Sequence, residues 1–99
     1  MARVVWTSRA SDELEAVCDY IGLDSDRYAR LIAEQIVAAT ERIGEFPEAG
    51  SIVPEFQNPD IRERLVHRYR IIYQHRMSEN EATTKILAII HGSRRLTDI

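Results

Sequence analysis

The fold of this chain is decided by the stretch LVHRYRIIYQHR, residues 65–76. Apolar and polar side chains alternate along it, and β-branched and aromatic residues dominate, which is typical of a half-buried β-strand. The alternation predicts two faces: Val66, Arg68, Arg70 and Ile72 on one, and Tyr69, Ile71 and Tyr73 on the other. Two arginines on a central strand need a partner or a function, because charge inside a sheet is costly when it is unpaired.

The segments around this stretch have the same two-residue period. We predict strands at residues 60–66, 68–75 and 83–92, with MSENEA (77–82) as the polar turn between the last two. Neighbouring strands joined by such short links must be antiparallel.

The first half of the chain follows a helical period instead. After a short β-branched run at residues 2–6, which we interpret as a strand, Thr7 or Ser8 is placed to cap a helix. GLDSD (22–26) separates this helix from a longer one that ends at Pro47. The predicted apolar stripes are Ala10, Leu14, Val17, Cys18 and Ile21 on the first helix, and Tyr28, Ile32, Ile36, Ala39, Ile43 and Phe46 on the second.

The order of elements, β-α-α-β-β-β, predicts an α+β fold in which a helical hairpin packs on a small antiparallel sheet. Residues 1–99 are long enough for one domain only. Because the hairpin covers one face of the sheet, we expect the other face to be largely uncovered and available for binding.

Composition excludes several classes of function. No apolar run is long enough to span a membrane, and the amino-terminal residues lack the apolar stretch of a secretory signal, so we expect a cytoplasmic protein. Cys18 is the single cysteine and no histidine pair has metal-ligand spacing, so we expect no disulfide, metal or cofactor. The net charge of −3 divides into −5 for residues 1–50 and +2 for residues 51–99. This asymmetry suits a basic face on an acidic scaffold, and the alternative is that the helices simply carry more surface glutamate.

The candidate functional residues are the cations of that second half. They are Arg62, Arg64, Arg68, Arg70, His91, Arg94 and Arg95. Such a set suits binding of a phosphate backbone, or stabilisation of a developing phosphorane where a base lies nearby. The alternative for Arg70 is an internal ion pair with Glu55 or Glu63, and the alternative for Arg94 and Arg95 is a solvated surface.

The order of short motifs resembles the RelE/ParE superfamily of bacterial type II toxins, and the ParE branch more than the RelE branch. The motifs are Trp6 at the end of the first strand, Ala10 and Leu14, Tyr20 and Ile21, Phe46 to Gly50, Val53 to Glu55, Ile61 to Glu63, Tyr69 to Tyr73, and Ile89 to Leu96. The resemblance implies a toxin held in a hetero-oligomer by a co-encoded, ParD-like antitoxin. ParE-type members poison DNA gyrase, whereas RelE-type members cleave messenger RNA on the ribosome.

Within this resemblance we favour gyrase binding without a catalytic residue. The RNase branch commonly ends with a catalytic tyrosine or histidine and keeps several lysines near the site, whereas this chain ends in SRRLTDI and has Lys85 as its single lysine. The residues predicted to bind the target are Arg94, Arg95 and Leu96, and those predicted to bind the antitoxin are Arg68, Arg70 and Arg94. In the alternative, RNase interpretation, Arg70, His91 and Arg94 are catalytic and nucleic acid is the partner.

Two further expectations come from the resemblance and the strand pattern. Ser51 stands where ParE members often have an arginine, which bears on potency or target choice. We also expect residues 93–99 to be an accessible tail that is dispensable for folding, and the antitoxin to bind as an extended or helical segment that orders on the sheet.

Overall fold

The computed structural model describes residues 2–98 and confirms the predicted α+β fold, a helical hairpin packed on a small sheet. The elements are β1 (Arg3–Trp6), α1 (Ser8–Gly22), α2 (Asp26–Glu45), β2 (Ser51–Ile52), β3 (Ile61–Val66), β4 (Tyr69–Met77) and β5 (Ala82–His91). In the described part of the chain, neither helix is both long and apolar enough to cross a membrane.

Side-chain caps define where the two helices begin. The Thr7 hydroxyl accepts a hydrogen bond from the backbone N–H of Ala10, and Ser25 does the same for the N–H of Tyr28. The predicted stripe of α2 is confirmed at its centre, where Ile36 is fully buried. It is wrong at its ends, since Tyr28 is 48% exposed and Phe46 is 65% exposed.

The sheet has the strand order β1-β5-β4-β3-β2. The predicted antiparallel pairing of the last three strands is confirmed, and β2, which the sequence pattern did not predict, pairs antiparallel with β3. β1 differs because it runs parallel to β5, which makes the sheet mixed. Only strands joined by tight turns are forced to be antiparallel, and no turn joins β1 to another strand.

The main core lies between the sheet and the helices. Its fully buried members include Ile36, Ile71 and Tyr73, and Tyr69 packs against them. The prediction that Tyr69, Ile71 and Tyr73 share one face is therefore confirmed, and this is the face that the helices cover. Val66 also packs in this core, although the alternation placed it on the opposite face. The reason is that Val66 pairs with Tyr69 across the two-residue turn at residues 67–68, and paired residues share a face.

A second, smaller core covers the other face of the sheet. Its buried members are Val53, Ile72, Ala88, Ile90 and Leu96. Val53 belongs to the loop after β2, and Leu96 belongs to the tail that follows β5. The expectation of an uncovered sheet face is therefore wrong, because this loop and the tail both fold over it.

Candidate functional site

Arg70 lies at the centre of the second face and is almost fully buried, with 6% of its surface exposed. Its Nε donates to Glu63 Oε2 at 2.7 Å. Its two terminal nitrogens donate to both oxygens of Glu55, at 2.8 and 2.9 Å. The alternative of an internal ion pair is thus confirmed, and Arg70 pairs with Glu55 and Glu63 at the same time.

The position of Arg70 follows from strand register. Glu63 on β3 is opposite Ile72 on β4, and Leu65 is opposite Arg70, so Glu63 and Arg70 stand on one face two positions apart. Glu55 approaches from the turn at residues 54–56. Bidentate pairing of a guanidinium with a carboxylate is the strongest ion-pair geometry that proteins use.

The cluster formed by Arg70, Glu55 and Glu63 shifts the pKa values of Glu55 and Arg70. The hydrogen bond from Arg70, assisted by one from the Leu96 backbone N–H, lowers the pKa of Glu55 to about 2. Pairing with Glu55 raises the pKa of Arg70 above its ordinary value. Glu55 and Arg70 therefore stay charged at every physiological pH, and the guanidinium cannot act as an acid or a base.

The carboxy-terminal tail is anchored to the same cluster. Arg70 Nη1 donates to the Arg94 carbonyl at 3.0 Å, and the Leu96 N–H donates to Glu55 Oε2 at 2.8 Å. The Leu96 side chain is 3% exposed, and Arg9 on α1 donates to the Asp98 carbonyl at 3.0 Å. The expectation of an accessible tail is wrong at Leu96, although the other residues of 93–98 are exposed. These anchoring contacts argue against the expectation that the tail is dispensable for folding, which stays a prediction, and Ile99 lies outside the described residues.

A cleft of about 380 Å³ lies between α1 and the end of β5, beside the tail. Val17 contributes to its apolar wall, and its polar groups come from Glu13, Tyr20, Tyr69, His91 and Arg94. The Ser93 N–H donates to His91 Nδ1 at 3.1 Å, which places the proton of the neutral imidazole on Nε2. The cleft therefore brings a hydrogen-bond donor and an exposed cation together.

A family model described as "ParE toxin of type II toxin-antitoxin system, parDE" matches residues 4–96. The chain belongs to the ParE toxin family. A curated relative, "Toxin RelE2" of Caulobacter vibrioides, is 42% identical over 52 residues, which are 52% of this chain and 59% of that protein. The match thus spans little more than half of the relative's length.

A solved structure from a "Chromosomal ParDE TA system from P. aeruginosa" has the same fold. It superposes with a TM-score of 0.71 over 92% of this chain and 96% of its own, at 20% sequence identity. At that identity the likeness supports the ParE-family fold and its strand order, and nothing about individual side chains.

The residues predicted to bind the antitoxin of this ParE-family chain do not form one surface. Arg68 is exposed in the β3–β4 turn, and its carbonyl accepts from the Gly92 N–H at 2.6 Å, so it neighbours the start of the tail. Arg94 is exposed at the cleft. Arg70 is buried below both and has its hydrogen bonds satisfied within the protein.

The residues predicted to bind the target divide in a similar way. Arg94 and Arg95 are exposed, as expected, whereas Leu96 is buried in the second core. The prediction that Leu96 is an accessible contact is therefore wrong, and its role in this structure is to hold the tail in place. Ser51 lies exposed on β2 and is paired with Glu63.

Two other polar side chains, those of Tyr73 and Glu13, form contacts in this region that were not predicted from sequence. The Tyr73 hydroxyl donates to the Pro47 carbonyl at 2.7 Å and accepts from the Gly50 N–H at 3.1 Å, which fixes the loop before β2. Glu13 on α1 accepts from the Ile89 N–H at 3.1 Å. The partners are 23 to 76 residues apart in sequence, so no local pattern indicates them.

Proposed function

We propose that this ParE-family toxin acts by binding DNA gyrase and is neutralised by a co-encoded antitoxin. The observation that supports a binding mode of action is the burial and ion pairing of Arg70. Its guanidinium is buried and shared between two carboxylates, at 2.7 to 2.9 Å. It is therefore a structural residue, and the position that the RNase interpretation needs for chemistry is already occupied.

Ribonuclease chemistry makes demands that this arrangement does not meet. Cleavage beside a ribose needs a base for the 2′-hydroxyl, an acid for the leaving oxygen and a free cation for the phosphate. A phosphate brought to Arg70 would meet the ionised Glu55 and would compete with an existing bidentate pair. Electrostatic repulsion therefore opposes RNA binding at this face.

The exposed cations near the tail are better placed to contact a protein. Arg94 and Arg95 lie in the tail shortly after β5, and neither forms an ion pair within residues 2–98. We assign target binding to Arg94 and Arg95, and we assign to Leu96 the task of holding them in position. Arg68 and Arg94 remain the cations that we expect an acidic antitoxin to contact.

One observation favours the RNase alternative. His91 and Arg94 line the same cleft, with the His91 Nε2 proton and the arginine side chain both unpaired among the described residues. This pair supplies a hydrogen-bond donor and a cation for a phosphate, and Tyr20 or Tyr69 supplies a stacking surface. In this alternative the cleft beside α1, and not the Arg70 face, is the active site.

Two reactions run side by side distinguish the proposals. The purified chain is added to gyrase with relaxed plasmid and ATP, and separately to ribosomes programmed with a short messenger RNA. We expect loss of supercoiling with accumulation of cleaved DNA, and an intact messenger. The Arg94→Ala, Arg95→Ala double variant is the matched control, and we expect it to leave supercoiling unaffected. Cleaved messenger with normal supercoiling would replace this proposal with the RNase alternative.

A further inference from the structure

The outer edge of β3 is only partly covered by another strand. β3 has six residues, Ile61–Val66, and all six pair with β4. On the other side β2 contributes two residues, which pair with Arg62 and Glu63. Residues 64–66 therefore have no strand on their outer side, and the opening measures about 10 Å at the usual rise per strand residue.

The backbone groups at this opening point outward. The Ile61 N–H donates to the Asn58 carbonyl and the Ile61 carbonyl accepts from the Val53 N–H, so both groups of Ile61 face away from β4. Because backbone direction alternates with a period of two, the N–H and carbonyl of Leu65 face the same way. Among the backbone hydrogen bonds outside helices and strands in residues 2–98, Leu65 forms none, and its side chain is exposed.

Two grooves adjoin this edge. The one towards β2 is lined by Glu63, which is paired with Arg70, and the other has a positive charge. Between α2 and β3 it is lined by Gln35, Ala38, Arg42, Arg64 and His67, among others, and no carboxylate belongs to the lining. Neither Arg42 nor Arg64 takes part in an ion pair in the described chain. An exposed edge strand beside apolar and cationic side chains is a typical site for an added strand.

We propose that a short, extended, acidic segment of the antitoxin pairs with Leu65 and adds a strand to this sheet at residues 64–66. This inference rests on the proposed function, since it names the surface that the neutralising partner occupies. Main-chain hydrogen bonds to Leu65 provide the pairing, and carboxylates beside Arg42 and Arg64 provide the charge complement. A second copy of this chain suits the edge poorly, because it would bring its own Arg42 and Arg64 into the same groove.

Hydrogen exchange on the wild-type protein tests the proposal directly. The probe is the product of the small reading frame adjacent to the gene of this chain, purified with it as a complex. In the free toxin the outward amide of Leu65 exchanges quickly, and we expect exchange to slow by at least about tenfold in the complex. Unchanged exchange in a complex that forms would overturn the strand pairing and leave the proposed function intact.

Two variants of Leu65 separate the contribution of its backbone N–H to antitoxin binding from that of its side chain. Leu65→Pro removes the outward N–H without touching the ladder to β4, and Leu65→Ala is the matched control that keeps the N–H. We expect Leu65→Pro to bind the antitoxin about tenfold more weakly than Leu65→Ala, the equivalent of one lost hydrogen bond. Equal affinities of the two folded variants for the antitoxin would overturn the proposal. Protection of the Leu65 amide that rises with toxin concentration, in the absence of antitoxin, would also overturn it, because a second copy of the chain would then occupy the edge. If no complex forms with the wild type, the proposed antitoxin and this site fail together.

Discussion

Replacing Arg70 with alanine is the most informative perturbation of this structure. The change leaves the carboxylates of Glu55 and Glu63 facing each other without their shared cation, in a site where Arg70 itself is 6% exposed. Breaking a buried ion pair by removing one partner costs about 3–5 kcal/mol. A domain of this size has a total stability of roughly 5–15 kcal/mol, so the loss is a large fraction of it.

Urea unfolding at pH 7, followed by circular dichroism, measures this cost. We expect the Arg70→Ala protein to lose about 3–5 kcal/mol of unfolding free energy, whereas Arg76→Ala, at an exposed position near the end of β4, loses less than about 0.5 kcal/mol. If the cost arises from uncompensated carboxylates, combining Arg70→Ala with Glu55→Gln and Glu63→Gln restores part of it. A folded Arg70→Ala protein that unfolds like the wild type but has lost toxicity would refute this reasoning and favour a catalytic arginine.

Four other predictions follow from individual contacts. Leu96→Ala should cost about 2–5 kcal/mol in a urea titration, because it opens a cavity in the second core, and a cost below 1 kcal/mol would mean that the tail is not packed. Arg94→Ala with Arg95→Ala should unfold like the wild type but be less toxic in a growth assay; unchanged toxicity would exclude these cations from target binding. Since the pKa of Glu55 is lowered to about 2, the contribution of its carboxylate to the free energy of unfolding is present above pH 4.5 and is lost as the pH falls towards 2. Acid titration of the wild type should therefore show a loss of up to about 3 kcal/mol in that window, and Glu55→Gln should remove this part of the pH dependence. Tyr73→Phe should cost about 1–3 kcal/mol by thermal unfolding, because two backbone groups of the loop before β2 lose their partner, and an unchanged melting temperature would contradict the assigned bonds.

The architecture was predictable because local period and turn chemistry agree along most of the chain. The alternation predicted that Tyr69, Ile71 and Tyr73 share one face of β4, and Thr7 was one of the two residues expected to cap α1. The errors lie where tertiary packing, and not the local sequence pattern, decides whether a side chain is buried. Phe46 continues the stripe of α2, but it stands at the end of the helix and remains exposed.

The second core and the packing of the tail could not be predicted from local sequence patterns. Leu96 is a lone apolar residue among charged and polar ones, so no periodicity indicates its burial. Its position is set by the backbone bond to Glu55, 41 residues earlier in the chain. The role of Arg70 was accessible as one of two alternatives, because a buried guanidinium needs carboxylates and Glu55 and Glu63 were the nearest candidates.

We propose that this ParE-family chain inhibits gyrase by binding and does not cut RNA. The most direct test of this proposal is induction of the chain in cells without the antitoxin, with covalent gyrase–DNA complexes and the 5′ ends of messenger RNA mapped in the same culture. We expect gyrase–DNA complexes to accumulate within minutes while the 5′ ends are unchanged, and we expect the Arg94→Ala, Arg95→Ala variant to give no gyrase–DNA complexes and no new 5′ ends. New 5′ ends at codon spacing, without gyrase–DNA complexes, would contradict it.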